Sequence, residues 1–273
     1  MLSAFQRSCD PTKMIEALFG LAPSLLLFLV LIAFLAGFID AIAGGGGLLT
    51  IPALLTAGLP PHLALGTNKL CATFGSLTAS ITFYRRGIFN PRLWIAAACA
   101  TALGAASGAL VADQVSADWL NKLLPLIIIL TAIYALLVKP LTDDNQGTEP
   151  QTHGKATQWL QGLGIGFYDG VAGPGTGSFW TLSSLSLYRM NLLFSSGLAR
   201  VMNFISNAVS LVTFALLGHV NLLLGVSLGL ALMVGAYVGA RSAIRFGGRF
   251  IRPVFTLVVL AIACRLVWQH WLQ

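Results

Sequence analysis

The chain has 273 residues, 56% of them hydrophobic and only 9% charged, with a mean hydropathy of +0.82. A soluble domain carries about 25% charged residues, so this composition excludes a soluble globular protein and implies an integral membrane protein. The formal net charge is +7, but the basic residues cluster in short loops, the pattern that orients membrane helices rather than one that binds nucleic acid. The four cysteines (Cys9, Cys71, Cys99 and Cys264) are scattered and show neither disulfide nor metal spacing.

Residues 1–16 carry mixed charges (Arg7, Asp10, Lys13, Glu16). The apolar run after them is long for a signal-peptide core and lacks a clear small-x-small cleavage site, so it reads as the first membrane segment. Gly44-Gly45-Gly46-Gly47 then interrupts it, raising the helix energy by roughly 3–4 kcal/mol relative to alanine. A new helix is expected to begin at Pro52. Spans follow at about 63–84, 93–112 and 120–138. A polar linker at about 139–156 precedes a second broken run, interrupted by Gly173-Pro174-Gly175-Thr176-Gly177, with Thr176 or Ser178 as a candidate helix cap. Three more spans are expected at about 192–217, 220–240 and 253–270. The runs are continuously apolar without dyad alternation, which argues for helices over a β-barrel.

The second half repeats the first. Gly37-Phe38-Ile39-Asp40 matches Gly166-Phe167-Tyr168-Asp169, and Gly44 and Gly46 match Gly173 and Gly175. Further along, Gly66 matches Gly197, Gly87 matches Gly218, and Gly104 and Gly108 match Gly235 and Gly239. The halves divide as residues 1–138 and 157–273, joined by the linker 139–156. Weak repeats with matched glycines are common among secondary transporters. In the first half the basic turn (Arg85, Arg86, Arg92) follows the first of the three clear spans. In the second half it follows the second, with Arg241, Arg245, Arg249 and Arg252. Basic loops face the cytoplasm, so the halves should have opposite orientations. Each half then needs an odd number of crossings, and the broken segments, about 20–58 and 157–187, must enter and return. The expected fold is an all-α integral membrane protein of two inverted repeats. Each repeat is a glycine-broken helix hairpin plus three transmembrane helices, giving about eight to ten membrane segments in all.

Four charged side chains lie deep in apolar stretches, as two matched pairs. Asp40 and Asp169 are 129 positions apart, and Lys69 and Arg200 are 131 apart. Charges are costly inside a bilayer and mark functional sites there. Irregular backbone is tolerated at that depth only where it lines a cavity or is buried in protein. Gly44, Gly45, Gly46 and Gly47, with Gly173, Pro174 and Gly175, are therefore candidates for a substrate-lining break. The helix N-termini beyond such breaks attract anions, and Lys69 and Arg200 would add full positive charge. Asn68 and Asn203 are placed to orient an oxyanion, with Asn207 on the same helical face as Asn203. Asp40 and Asp169 would tune the charge or carry protons; capping the breaks or pairing with Lys69 and Arg200 is the structural alternative. Gly104, Gly108, Gly235 and Gly239 have the small-xxx-small spacing of close helix packing. His62 and His219 fall at span ends, and Trp94, Trp119, Trp159, Trp268 and Trp271 fit an interfacial belt. Trp180 and Tyr168 are further candidates for lining the site.

These residues resemble the TauE/SafE family of sulfite-exporter-like membrane permeases. The match rests on GFIDAIAGGGGLLTIPALLTAGLPPHLALGTNKL in the first half, and on GFYDGVAGPGTGSFW and SGLARVMNFISNAVSL in the second. With the repeat layout, it covers nearly the whole chain. The resemblance implies a duplicated multi-helix permease of the bacterial cytoplasmic membrane that moves small sulfur-containing or organic anions such as sulfite or sulfonates. Asp40, Gly44–Gly47, Asn68, Lys69, Asp169, Gly173–Gly175 and Arg200 fall at its signature positions.

The expected function is secondary transport of such an anion, with export the expected direction. A potential negative inside favours anion exit by about 2.3 kcal/mol per charge per 100 mV, so export needs no coupling proton, whereas import would need one. The expected partners are a small anionic substrate and the lipid bilayer, with a homo-oligomer allowed and no nucleic acid. No cofactor, metal or catalytic residue is implied. A passive anion channel and a membrane scaffold remain alternatives. An intramembrane enzyme is disfavoured, because no metal-spaced cluster or nucleophile–base motif is present.

Overall fold

The computed structural model describes residues 20–137 and 154–246. Among these residues the chain is all-helical, with no strand. The first half contributes α1 (Pro23–Ala43), α2 (Gly47–Thr56), α3 (Pro61–Arg85), α4 (Ile95–Gln114) and α5 (Ala117–Leu137). A 3-10 turn, Pro91–Leu93, leads into α4. The second half contributes α6 (Lys155–Val171), α7 (Thr176–Tyr188), α8 (Leu192–Leu216) and α9 (Leu222–Phe246). The expected linker falls mostly, and the expected span at 253–270 with Trp268 and Trp271 wholly, outside the described residues.

Four of these helices (α1, α4, α8 and α9) are long and apolar enough to cross a membrane. Helix α3, expected to span, is also long enough at 25 residues, but its buried face carries Thr67, Asn68, Lys69, Ser76 and Ser80. Those polar groups turn toward protein, not lipid, and they dilute the hydropathy of the helix. Leu27, Leu31, Leu103, Leu130, Leu216 and Leu222 are exposed, as an apolar solvent allows.

The halves interlock. Helix α1 packs most extensively on α9, and α6 on α4, so the helix before each break lies against a long apolar helix of the other half. Glycines set both contacts. A Cβ on Gly235 would come within 2.0 Å of the Phe34 oxygen, and one on Gly104 within 2.5 Å of the Leu163 oxygen. Gly239 meets the Phe38 oxygen and Gly108 the Phe167 oxygen in the same way, at 2.4 and 2.2 Å. Phe34 and Leu163 are 129 positions apart, as are Phe38 and Phe167, so matched residues make matched contacts. The four glycines act through packing, as their spacing suggested. Helices α3 and α8 pack on each other at the centre and carry Lys69 and Arg200.

Candidate functional site

Each break is shorter than its glycine content suggested. Helix α1 ends at Ala43 with Gly44 left-handed at φ 84°, and α2 already begins at Gly47. The expected start at Pro52 is therefore corrected, and Pro52 sits inside α2. Only Leu48's carbonyl loses its helical partner to that proline. In the second break, Gly173 and Gly175 are left-handed at φ 90° and 78°. Gly175 is the residue before α7, and neither Thr176 nor Ser178 serves as its cap. The hydroxyl of Thr176, the first residue of α7, instead lies within hydrogen-bond distance of Asp169 Oδ1 at 2.9 Å and of the Gly173 oxygen at 2.8 Å, its single proton shared between the two acceptors. Ser178 donates to the Ala43 oxygen at 2.8 Å. That bond satisfies a carbonyl left open at the end of α1 and ties one break to the other.

The two breaks touch. A Cβ on Gly44 would meet the Gly177 carbonyl carbon at 2.4 Å, while one on Gly47 would lie 3.5 Å from Pro174 Cα. The segments thus pass each other in opposite directions, and the starts of α2 and α7 meet across a small cavity. Asp40, Gly44, Gly46, Gly47, Asn68, Asp169, Gly173, Gly175 and Asn203 line it, together with Thr50, Thr176, Gly177 and Asn207. Its volume is about 20 Å³, room for roughly one water. Of the expected substrate-lining residues, Gly45, Pro174, Lys69 and Arg200 are not on its wall. Pro174 instead offers its oxygen to the Tyr168 hydroxyl at 2.5 Å. Trp180 does not line the cavity either; it is wholly buried in an apolar cluster with Trp94, Tyr188 and Met202. Trp94, expected at the interface, is buried there too and meets Tyr188 edge to face at 4.7 Å. Trp119 is exposed and Trp159 partly so, as a belt requires.

The bases stand just behind the glycines, and each faces the other half's carboxylate. Lys69 Nζ bonds Asp169 Oδ1 at 2.9 Å and also donates to the Asp169 main-chain oxygen. Arg200 Nη1 lies 3.6 Å from Asp40 Oδ2. Close approach depends on glycine here: a Cβ on Gly44 or Gly177 would fall 2.6 or 2.5 Å from Arg200 Nη2, and one on Gly173 would fall 3.0 Å from Lys69 Nζ. Asp40 also accepts from the Gly46 N–H at 3.0 Å and from Asn203 Nδ2 at 3.4 Å. Capping of the break and cross-pairing of charge, the structural alternatives for the acids, therefore both occur. Asn68 accepts from the Thr50 hydroxyl, and Asn207 donates to Asn203 Oδ1 at 3.1 Å. Arg200 is wholly buried, yet its Nη1 and Nη2 have no hydrogen-bond partner among the described residues.

Thr50 and Ser206 belong to this network, Ser206 through a bond to Asp169 Oδ2, and neither stood out in the sequence. For Ser206, three residues after Asn203 and four before Ser210, a signal was available in its own helix. Ser196, Arg200, Asn203, Asn207 and Ser210 recur every three to four residues and are all buried, a polar stripe on one helical face. His62 and His219 stack at 5.1 Å, and His219 meets Asp113 at 2.7 Å, gathering the start of α3, the end of α4 and the turn after α8. Arg86, Arg241 and Arg245 line one surface hollow at the other end of α3.

Residues 29–266 match the family model described as sulfite exporter TauE/SafE. The chain is 42% identical to a probable membrane transporter protein, ORF9, of Sinorhizobium sp, over 90% of this chain and 94% of that one. It is 38% identical to the probable membrane transporter protein YfcA of Escherichia coli K12, over 94% and 97% of the two chains. A probable membrane transporter protein of Haemophilus influenzae is likewise 38% identical, over 90% and 96%. No solved structure matches. A family match across most of the length, with relatives this similar end to end, means that the chain belongs to the sulfite exporter TauE/SafE family.

Proposed function

We propose that this protein is a secondary transporter that moves small sulfur-containing or organic anions, such as sulfite or sulfonates, out across the bacterial cytoplasmic membrane. One observation carries the reading. Arg200 is a buried cation with unsatisfied terminal donors, held against both breaks at the centre of the molecule. An orphaned buried guanidinium is unfavourable unless an anion completes it. The helix starts at Gly47 and Thr176 add partial positive charge from the adjacent wall. Asn203 and Asn68 would orient the bound oxyanion.

Alternating access follows from two inverted repeats rocking about that point. Helix α3 is about 37 Å long at 1.5 Å per residue, and the two ends of the molecule differ in charge. Arg86 of the first half and Arg241 and Arg245 of the second gather at one end. That supports opposite orientations with the basic end in the cytoplasm. A cavity of about 20 Å³ suits an occluded carrier better than an open pore, which disfavours the channel alternative.

The test is uptake of radiolabelled sulfite, thiosulfate and methanesulfonate into proteoliposomes of the purified chain. Saturable flux of one of them, lost in Arg200→Gln, supports the reading. Normal flux in a folded Arg200→Gln protein overturns the site, and flux that never saturates favours a channel.

A further inference from the structure

The two ion pairs correspond in sequence but differ in structure. Asp169 is fully engaged: Oδ1 accepts from Lys69 and Thr176, Oδ2 from Ser206, and its main-chain oxygen from Lys69. Asp40 is held more loosely. Its short bond is to the Gly46 N–H at 3.0 Å, and Asn203 stands at 3.4 Å. Arg200 Nη1, at 3.6 Å, is beyond hydrogen-bond distance. Asp40 therefore neutralises Arg200 without coordinating it, and it lines the cavity while Arg200 stands just behind the wall. One turn before Arg200, the Ser196 hydroxyl is likewise buried without a partner among the described residues.

An anion drawn to Arg200 approaches Asp40 as well. Two anions beside one cation leave a net negative charge buried, which is costly. The surrounding elements offer little to cancel it. Lys69 of α3 is committed to Asp169 of α6, and α8 presents only Arg200 and neutral Asn203. Helix α9 faces α1 with apolar Leu232 and Ala236. Helix α2 has no ionisable side chain, and α7 has only Tyr188 at its far end. The remaining route is for Asp40 to take a proton from water as the anion enters and to return it as the anion leaves.

Resting on the anion-carrier reading above, we propose that one proton binds Asp40 for each anion that binds Arg200. The chain is then a proton–anion cotransporter in which Asp40–Arg200 is the working pair and Lys69–Asp169 a fixed strut. For a monovalent anion the empty and loaded sites carry equal charge, so the membrane potential has little effect, and export runs only while the outward anion gradient exceeds any inward proton gradient.

The test is calorimetric titration of the full chain in lipid nanodiscs with methanesulfonate and thiosulfate, in buffers of different ionisation enthalpy. Neither probe is a significant buffer near neutrality, so the buffer dependence counts protons taken up by the protein. The expected result is about one proton per anion, with affinity falling about tenfold per pH unit where Asp40 is ionised in the empty site. Asp40→Asn keeps an acceptor for the Gly46 N–H and should bind without proton uptake or pH dependence. Wild-type binding with no proton uptake overturns the cotransport inference alone, as does undiminished uptake in Asp40→Asn. No binding of either anion to wild type overturns it together with the anion reading. The wild-type proton count decides the matter even if the variant does not fold.

Discussion

Gly44→Ala tests whether the two breaks depend on direct backbone contact. Two effects oppose the added methyl. Gly44 sits at φ 84°, where an L side chain costs about 1–2 kcal/mol. The new Cβ would also lie 2.4 Å from the Gly177 carbonyl carbon, 2.5 Å from the Ser178 nitrogen and 2.6 Å from Arg200 Nη2. Two of those atoms are backbone and cannot rotate away, so overpacking adds about 1–3 kcal/mol. The total is about 2–5 kcal/mol. Gly58→Ala is the control: its φ is 88°, and nothing lies within 4 Å of its Cβ position, so only the backbone cost of about 1–2 kcal/mol applies. In chains of roughly this size 1 kcal/mol moves Tm by about 2–4 °C. Thermal melts in detergent, followed by tryptophan fluorescence, should therefore place Gly44→Ala several degrees below Gly58→Ala. Equal shifts would refute the close approach of the breaks.

Glycines elsewhere give a graded series. Gly239→Ala, whose Cβ would meet the Phe38 oxygen at 2.4 Å, should lower stability by about 1–3 kcal/mol. Gly164→Ala in α6 meets nothing within 4 Å and should raise it by up to about 1 kcal/mol; the same melts check both. Ser178→Ala removes the bond to the Ala43 oxygen and should cost about 0.5–1.5 kcal/mol. Single cysteines at Arg86 and Arg245, in a background lacking the native thiols, should both label from the cytoplasmic side of intact cells and vesicles, and one at His62 from the other. Labelling of 86 and 245 from opposite sides would sink the inverted arrangement.

Much of this arrangement was legible because membrane burial makes rare residues informative. Asp40, Lys69, Asp169 and Arg200 stood out only against their apolar flanks, and all four gather at the centre. The helix interfaces were readable from Gly104, Gly108, Gly235 and Gly239, since spacing alone puts them on one face. The starts of α2 and α7 were misread because capping and proline rules assume exposed helix ends. Here the partner break supplies the missing hydrogen bonds, so Ser178 serves α1 rather than its own helix. Trp94 and Trp180 mislead for a similar reason. A tryptophan near a helix end can turn to lipid or to protein, and only the packing around Tyr188 decides.

The cross-pairing makes a sharper demand than the sequence symmetry. Lys69 and Arg200 occupy matched positions and are equally buried, at 1% and 0% exposure, so symmetry alone expects equal consequences from Lys69→Gln and Arg200→Gln. Their bonding predicts a double dissociation. Lys69→Gln breaks two charged contacts with Asp169, at Oδ1 and at the main chain. Such bonds contribute about 1.5–3 kcal/mol each, and breaking a buried pair costs about 3–5 kcal/mol. Arg200→Gln also leaves a buried carboxylate unmatched, but no hydrogen bond from the terminal nitrogens is lost among the described residues; Asp40 keeps the Gly46 N–H and can take up a proton, as proposed above, to relieve the charge. It should be the milder change in a melt, by at least about 1.5 kcal/mol. For anion affinity the order reverses: losing one charged hydrogen bond of about 1.5–3 kcal/mol weakens Kd by about 10–150-fold, and Arg200 is the base with donors to give. Melting and anion titration of the two variants side by side decide it. If Arg200→Gln proves the less stable protein, or if Lys69→Gln alone loses the anion, the roles assigned to the two pairs are reversed.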